Sequence, residues 1–174
     1  NSGEVLKISG TNGSGKTSFM KILAGLHSYE TGSVEYGDAK INSEKYNLDF
    51  LYQGHLSALS PELSCLENLK YIAQLGNNNH NLDFSDAIKK VGLEKFENEL
   101  VGKLSAGQKK RIALSLLFIT QSKVWLLDEP FSALDSQAIK IIESRIEEHC
   151  NSGGLCILTT HQDCNIENIK EISL

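Results

Sequence analysis

The 174-residue chain has no run of about 18 apolar residues, so its sequence offers no membrane-spanning helix. It has no surplus of cations either. Lys and Arg number 17 against 22 Asp and Glu, a formal charge of -5, and that balance argues against a general affinity for nucleic acid or anionic lipid. Cysteine is scarce and unpatterned: Cys65, Cys150, Cys156 and Cys164 fall at no metal-ligand or redox spacing and read as buried or incidental thiols of a reducing compartment. A basic-then-apolar leader is missing, internal repeats are absent, and only the Asn-rich "GNNNHN" at 76–81 is of low complexity.

What is present is enough chain to bury roughly two thirds of its unfolded surface, as one domain or two small lobes. Asn1-Ser2-Gly3 leads straight into the apolar "EVLKIS" (Glu4 to Ser9), which reads as a buried strand, so the fold is expected to begin upstream of residue 1. "KTSFMKILAGL" (Lys16 to Leu26) reads as a helix with Phe19, Ile22, Leu23 and Leu26 on one face. Gly32, Val34 and Gly37 suggest a small strand and turn, and "LDFLY" (Leu48 to Tyr52) another strand. Ser60 to Leu75 and Asp83 to Leu93 read as helices, then a long helix from Ser105 to Gln121, a buried strand "KVWLLD", an amphipathic helix "SQAIKIIESRIEEHC" and a last buried strand "GLCILTT". Strands alternating with helices imply an α/β fold whose mostly parallel sheet is covered on both faces. The expected organisation is a core of residues 1–54 and 104–174 interrupted by a helical lobe at 55–103.

"GTNGSGKTS", Gly10 to Ser18, follows the first strand and opens the first helix. It fits a phosphate-binding loop, with Gly10, Thr11, Asn12, Gly13, Ser14, Gly15, Lys16, Thr17 and Ser18 as its residues. Small residues let successive backbone N–H groups converge on an anion, the helix N-terminus adds a positive field, Lys16 reaches the outer phosphates and the Thr17 hydroxyl suits Mg2+. An accidental glycine turn of this pattern is expected in about one chain in a hundred. "KVWLLDEP" ends an apolar strand in two carboxylates. Asp128 suits magnesium and Glu129 suits a proton acceptor for an attacking water. Acids at a strand end are common, but a phosphate loop on the same edge makes the pair specific, because parallel strands converge there at their carboxyl ends.

Taken with "LSAGQ" (Leu104, Ser105, Ala106, Gly107, Gln108), "SALD" ending at Asp135, and His161 in "LTTHQD", these motifs resemble in order and spacing the ATP-binding subunits of ABC transporters, over nearly the whole chain. The resemblance implies a P-loop NTPase fold with an inserted helical lobe, ATP and Mg2+ as cofactors, and a head-to-tail homodimer. Residues 104–108 of one copy would then touch the ATP held by the phosphate loop of the other, which explains why that stretch looks like half of a site. It also implies that Gln53 contacts magnesium and the attacking water, that His161 grips the γ-phosphate, that Thr17, Gln53 and Asp128 serve the metal, and that Asp135 meets the opposite copy's phosphate loop. The family usually has glycine at Ala106; alanine is tolerable there if the backbone has negative φ. Lys109, Lys110 and Arg111 either add positive field to that ATP contact or form an exposed basic face, and most of them read as the latter. His27, His55, His80 and His149 carry no assignment. An adenine-stacking aromatic, worth about 1–3 kcal/mol, would lie upstream of residue 1.

Within the family, "GTNGSGKTSFMKILAGL", "LSAGQKKRIALS" and "FLYQGHLSALSPELSCLENLKY" resemble the subunits that serve cytochrome c maturation and haem export. The resemblance implies integral membrane ABC subunits as partners, a peripheral position on the cytoplasmic face of a bacterial inner membrane or the matrix face of mitochondria, and no direct binding of haem or nucleic acid. A generic drug or lipid exporter subunit shares every motif and differs only in its membrane partner. A soluble ABC ATPase acting on DNA or ribosomes would call for a coiled-coil insertion, a second cassette or a basic surface. A phosphate-loop kinase leaves 104–108 unexplained.

Overall fold

The computed structural model describes residues 2–41, 43–54, 58–75 and 82–174. The Asn-rich linker at 76–81 and the segment 55–57, including His55, lie outside the described residues. The chain divides into two compact units. One comprises Asn1–His55, Ser122–Pro130 and Ile146–Leu174, the other Leu56–Gln121 and Phe131–Arg145. In chain order the elements are β1 (Val5–Ser9), α1 (Lys16–Leu23), β2 (Glu35–Tyr36), β3 (Ala39–Lys40), α2 (Glu44–Asp49), β4 (Phe50–Gln53), α3 (Cys65–Leu75), α4 (Phe84–Lys90), α5 (Ala106–Ser115), β5 (Val124–Asp128), α6 (Ser136–Asn151), β6 (Leu155–Thr159) and β7 (Lys170–Ser173).

The first unit is built on a five-stranded sheet in the order β4-β5-β6-β1-β7, parallel at every pairing, with β2 and β3 as a separate hairpin. A parallel strand covered on both faces has no polar side to show, which is why β5 reads VWLLD and is buried throughout. The register assigns the two faces. Phe50 and Tyr52 lie level with Val124 and Leu126, and these with Leu155 and Ile157. That face packs on Met20 and Leu23 of α1. On the other face Trp125 stacks flat against His149, ring centroids 3.7 Å apart. Tyr46 is buried in α2, stacks on Phe50 and donates its hydroxyl to the Leu23 carbonyl; burial pushes its pKa up to about 12.

Several expectations are corrected here. The buried apolar residue on α1 is Met20, whereas Leu26 lies beyond the helix and is exposed. Leu48 belongs to α2, a helix the β-like "LDFLY" conceals, with Ser43 capping it by accepting from Tyr46 N–H at 3.3 Å. The strand starts only at Phe50. β7 was not foreseen: its four residues are all exposed, so it lacks the apolar alternation by which strands are read.

The helical unit has its own core, in which Cys65, Leu69, Ile88, Val91, Val101, Leu104, Ile112 and Leu116 pack together. Residues 104–121, expected in the sheet core, belong to this unit by their contacts, because Leu104, Ile112 and Leu116 bury their side chains here. α3 starts at Cys65 rather than Ser60. Ser64 and Glu67 form a reciprocal cap, Ser64 N–H donating to the Glu67 carboxylate at 2.8 Å and Glu67 N–H to Ser64 Oγ at 3.2 Å. Asn68, 1% exposed, holds the preceding turn. Its Oδ1 accepts from Ser60 N–H at 2.7 Å, and its Nδ2 donates to the carbonyls of Ser60, Leu63 and Ser64 at 2.9–3.2 Å. Asn68→Ala is therefore expected to lower the unfolding free energy by about 2 kcal/mol through stranded polar groups. Urea denaturation measures it, and a loss below about 0.5 kcal/mol would show that the turn needs no such anchor. The expected long helix ends at Ser115 and continues as a 3₁₀ turn over Leu116–Phe118.

Candidate functional site at the carboxyl edge of the sheet

The register places the candidate residues of the first unit at one edge. Ile8 lies level with Thr159, Thr159 with Asp128, and Leu127 with Gln53. The chain therefore leaves β1, β6, β5 and β4 at the same end of the sheet, into Gly10, Thr160, Glu129 and Gly54 respectively. Asp128 and Thr159 share the face on which α1 packs, and α1 opens with Lys16 and Thr17 at that end.

The loop before α1 has the geometry of an anion cradle. Gly15 caps the helix at φ 98 with no side-chain cap bond, and an added Cβ there would meet nothing within 4 Å. Its glycine therefore serves the left-handed backbone, not a shortage of room. Lys16 is buried and folds back over the loop, its Nζ donating to the carbonyls of Gly10 at 2.8 Å and Thr11 at 3.0 Å. Ser14 Oγ is buried without a hydrogen-bond partner among the described residues. An ammonium on two carbonyls and an unpaired hydroxyl beside a helix N-terminus both suit a phosphate.

On β5, Asp128 is almost fully buried and accepts through Oδ1 from Thr159 Oγ1 at 2.7 Å, while its Oδ2 is buried with no hydrogen-bond partner among the described residues. An orphaned carboxylate oxygen beside a phosphate loop fits a divalent cation such as Mg2+. Glu129 has φ 50, and its N–H is shared between Thr159 O at 3.2 Å and Thr159 Oγ1 at 3.0 Å. Its Oε1 lies 3.6 Å from His161 Nε2, so carboxylate and imidazole face each other across a gap too wide for a direct bond. Gln53, 7% exposed, ends β4 level with Leu127, the residue before Asp128. Two neighbours escaped sequence reasoning. Tyr52 has its pKa raised by burial and, secondarily, by the Asp128 charge, and Thr159 touches both acids. Only strand register signals either one, since both share the face of Asp128.

In the second unit the Leu104–Gln108 stretch starts α5. Ser105 and Gln108 cap each other: Gln108 N–H donates to Ser105 Oγ at 3.2 Å and Ser105 N–H to Gln108 Oε1 at 2.9 Å. Ala106 is the first residue of the helix and is not among the positive-φ positions, which is the condition under which alanine is tolerated. Gly107 is pressed against the "SALD" turn, where a Cβ would fall 2.6 Å from the Ala133 carbonyl oxygen. Asp135 caps α6 by accepting from Ala138 N–H at 2.8 Å and forms an ion pair with Arg111. The exposed basic face expected at Lys109–Arg111 is thus corrected: Lys110 is 5% exposed and Arg111 is engaged by Asp135.

The family model described as ABC transporter matches residues 1–132. The chain belongs to the ABC transporter family of ATP-binding subunits. Among curated relatives of this family, the cytochrome c biogenesis ATP-binding export protein CcmA of Histophilus somni (strain 129Pt) is 40% identical over 99% of this chain and 81% of its own length. The protein of the same name from Shewanella oneidensis is 42% identical over 100% of this chain and 82% of its own. Among solved structures, one titled as the ATP-binding subunit of an ABC transporter superposes with a TM-score of 0.81 at 25% identity, covering 92% of this chain and 69% of that one. The expected P-loop α/β fold and ATP-hydrolysing class of this ABC subunit stand.

Proposed function

We propose that this ABC subunit hydrolyses ATP for a cytochrome c biogenesis complex, bound peripherally to integral membrane subunits at the cytoplasmic face of a bacterial inner membrane. The reading is supported by identity of about two residues in five, end to end, with relatives named for that process. The hydrolytic part rests on one observation: the phosphate loop, the buried half-satisfied Asp128 and the Glu129–His161 pair all lie at one sheet edge. Residues 10–18 hold the phosphates through backbone amides, with Lys16 leaving its own carbonyls for the outer oxygens. Thr17, Gln53 and Asp128 would hold Mg2+, which when bound offsets phosphate charge during in-line displacement. Glu129 accepts the proton of the attacking water and His161 orients it against the γ-phosphate. Leu104–Gln108 of a second copy completes the pocket and Asp135 meets the opposite phosphate loop, so ATP closes the pair and hydrolysis reopens it. On this reading haem is left to the other subunits of the complex, since the sequence of this chain carries no haem-ligand motif.

The composite pocket is tested by mixing. Lys16→Ala and Ser105→Arg are each expected to hydrolyse ATP below about one hundredth of the parent rate, and the two mixed full-length proteins to recover activity through the hybrid pair. A mixture as inert as its parts would sink the shared site. Purification of the intact complex from its own membranes then decides the cargo: haem-handling proteins support this reading, and a drug or lipid exporter partner replaces it.

A further inference from the structure

Thr159 has no assigned role, yet both bonds of its hydroxyl go to the hydrolytic edge. The residue is fully buried on β6, between β5 and β1. Its Oγ1 accepts from Glu129 N–H at 3.0 Å, and a backbone amide can only donate. The single hydroxyl hydrogen is therefore left for Asp128 Oδ1, 2.7 Å away. Asp128 is held by that one oxygen while Oδ2, also buried, has no hydrogen-bond partner among the described residues. An orphaned buried oxygen is costly, and a hydrogen bond to a charged group is among the strongest available to hold its partner oxygen in place. Glu129 depends in part on the same side chain, because its N–H, in a left-handed backbone at φ 50, is shared between the Thr159 hydroxyl and the Thr159 carbonyl.

We infer that Thr159 is a positioning residue for the divalent cation and for the general base: by engaging Oδ1 it leaves Oδ2 as the ligand atom of Asp128, and the same hydroxyl fixes the turn that sets Glu129 3.6 Å from His161. This rests on the reading of Asp128 as the metal carboxylate. Valine has the shape of threonine without the hydrogen bond, serine keeps the bond and loses the methyl, and alanine loses both. Mn2+ binding to the full-length protein with ADP, followed by electron paramagnetic resonance, is the probe, and ADP binding in the presence of EDTA serves as the metal-free control. Thr159→Val and Thr159→Ala are expected to weaken Mn2+ about ten-fold or more. Thr159→Ser is expected to stay within about three-fold of the parent, and metal-free ADP binding to be unchanged in all three. Should the valine variant fail to fold, serine against alanine decides alone, since these two differ only in the hydroxyl. Asp128→Asn separates the two readings. If it weakens Mn2+ while Val and Ala bind as the parent does, Thr159 has no positioning role and the metal assignment survives. If Asp128→Asn binds Mn2+ normally, the assignment falls and this inference with it. A serine variant as weak as valine would also overturn it, by showing that packing rather than the hydroxyl matters.

Discussion

Glu129→Gln is expected to bind ATP with parental affinity and to lose about 10² to 10⁴ of its turnover, the usual worth of a positioned proton acceptor. The substitution is nearly isosteric, and the bonds that hold the residue are made by its backbone N–H to Thr159, so its place at the edge should be kept. What disappears is the carboxylate proposed to take the proton as water attacks. With binding intact and hydrolysis blocked, ATP-bound pairs should accumulate as a stable dimer on size exclusion, while the parent returns to monomer as it consumes nucleotide. Phosphate release measures the first effect and elution volume the second. Turnover near the parental rate would place the general base elsewhere.

Gly107→Val should separate nucleotide binding from turnover in a different way. A Cβ at this position lies 2.6 Å from the Ala133 carbonyl oxygen, inside any real contact distance, and Ala133 is itself held at φ 61. Either the start of α5 or the "SALD" turn must shift, at about 1–3 kcal/mol, and the Arg111–Asp135 pair that joins them is disturbed with it. The variant's own phosphate loop belongs to the other compact unit, so fluorescent ATP should bind within about two-fold of the parent. ATP-driven pairing and steady-state hydrolysis should fall about 10²-fold or more, because in the proposed composite pocket the displaced start of α5 is the surface offered to a second copy's γ-phosphate. Parental turnover in this variant would mean that the close approach of Gly107 to Ala133 has no bearing on the reaction.

Both variants touch residues visible in the linear text, but for different reasons. Lys16, Asp128 and Glu129 are visible because phosphate chemistry needs specific residue types at fixed spacing after a strand, and the parallel sheet was visible in apolar runs such as VWLLD. Gly107 was visible only as a letter in a motif. The chain itself shows why that letter is glycine: a carbonyl from a turn 26 residues away leaves no room for a Cβ. The limits of α2 and β7 were unreadable for opposite reasons. The sequence over Leu48–Tyr52 suits a strand better than the helix that claims its first two residues, and β7 has no buried face to leave an apolar signature.

Residue order along the chain was enough to set out the chemistry on offer: an anion-binding loop, two acids at a strand end and, through the family resemblance alone, a stretch expected to serve a second copy's nucleotide. Pairing between distant strands decided which atoms of those residues are spoken for. Register brings Thr159 level with Asp128 across 31 positions of sequence, engages one carboxylate oxygen and leaves the other orphaned. Burial did the same for Lys110, which reads as part of a solvated basic run and is instead almost fully buried. Local spacing encodes what a residue can do, whereas hydrogen-bond satisfaction is a property of neighbours that only the folded chain brings together.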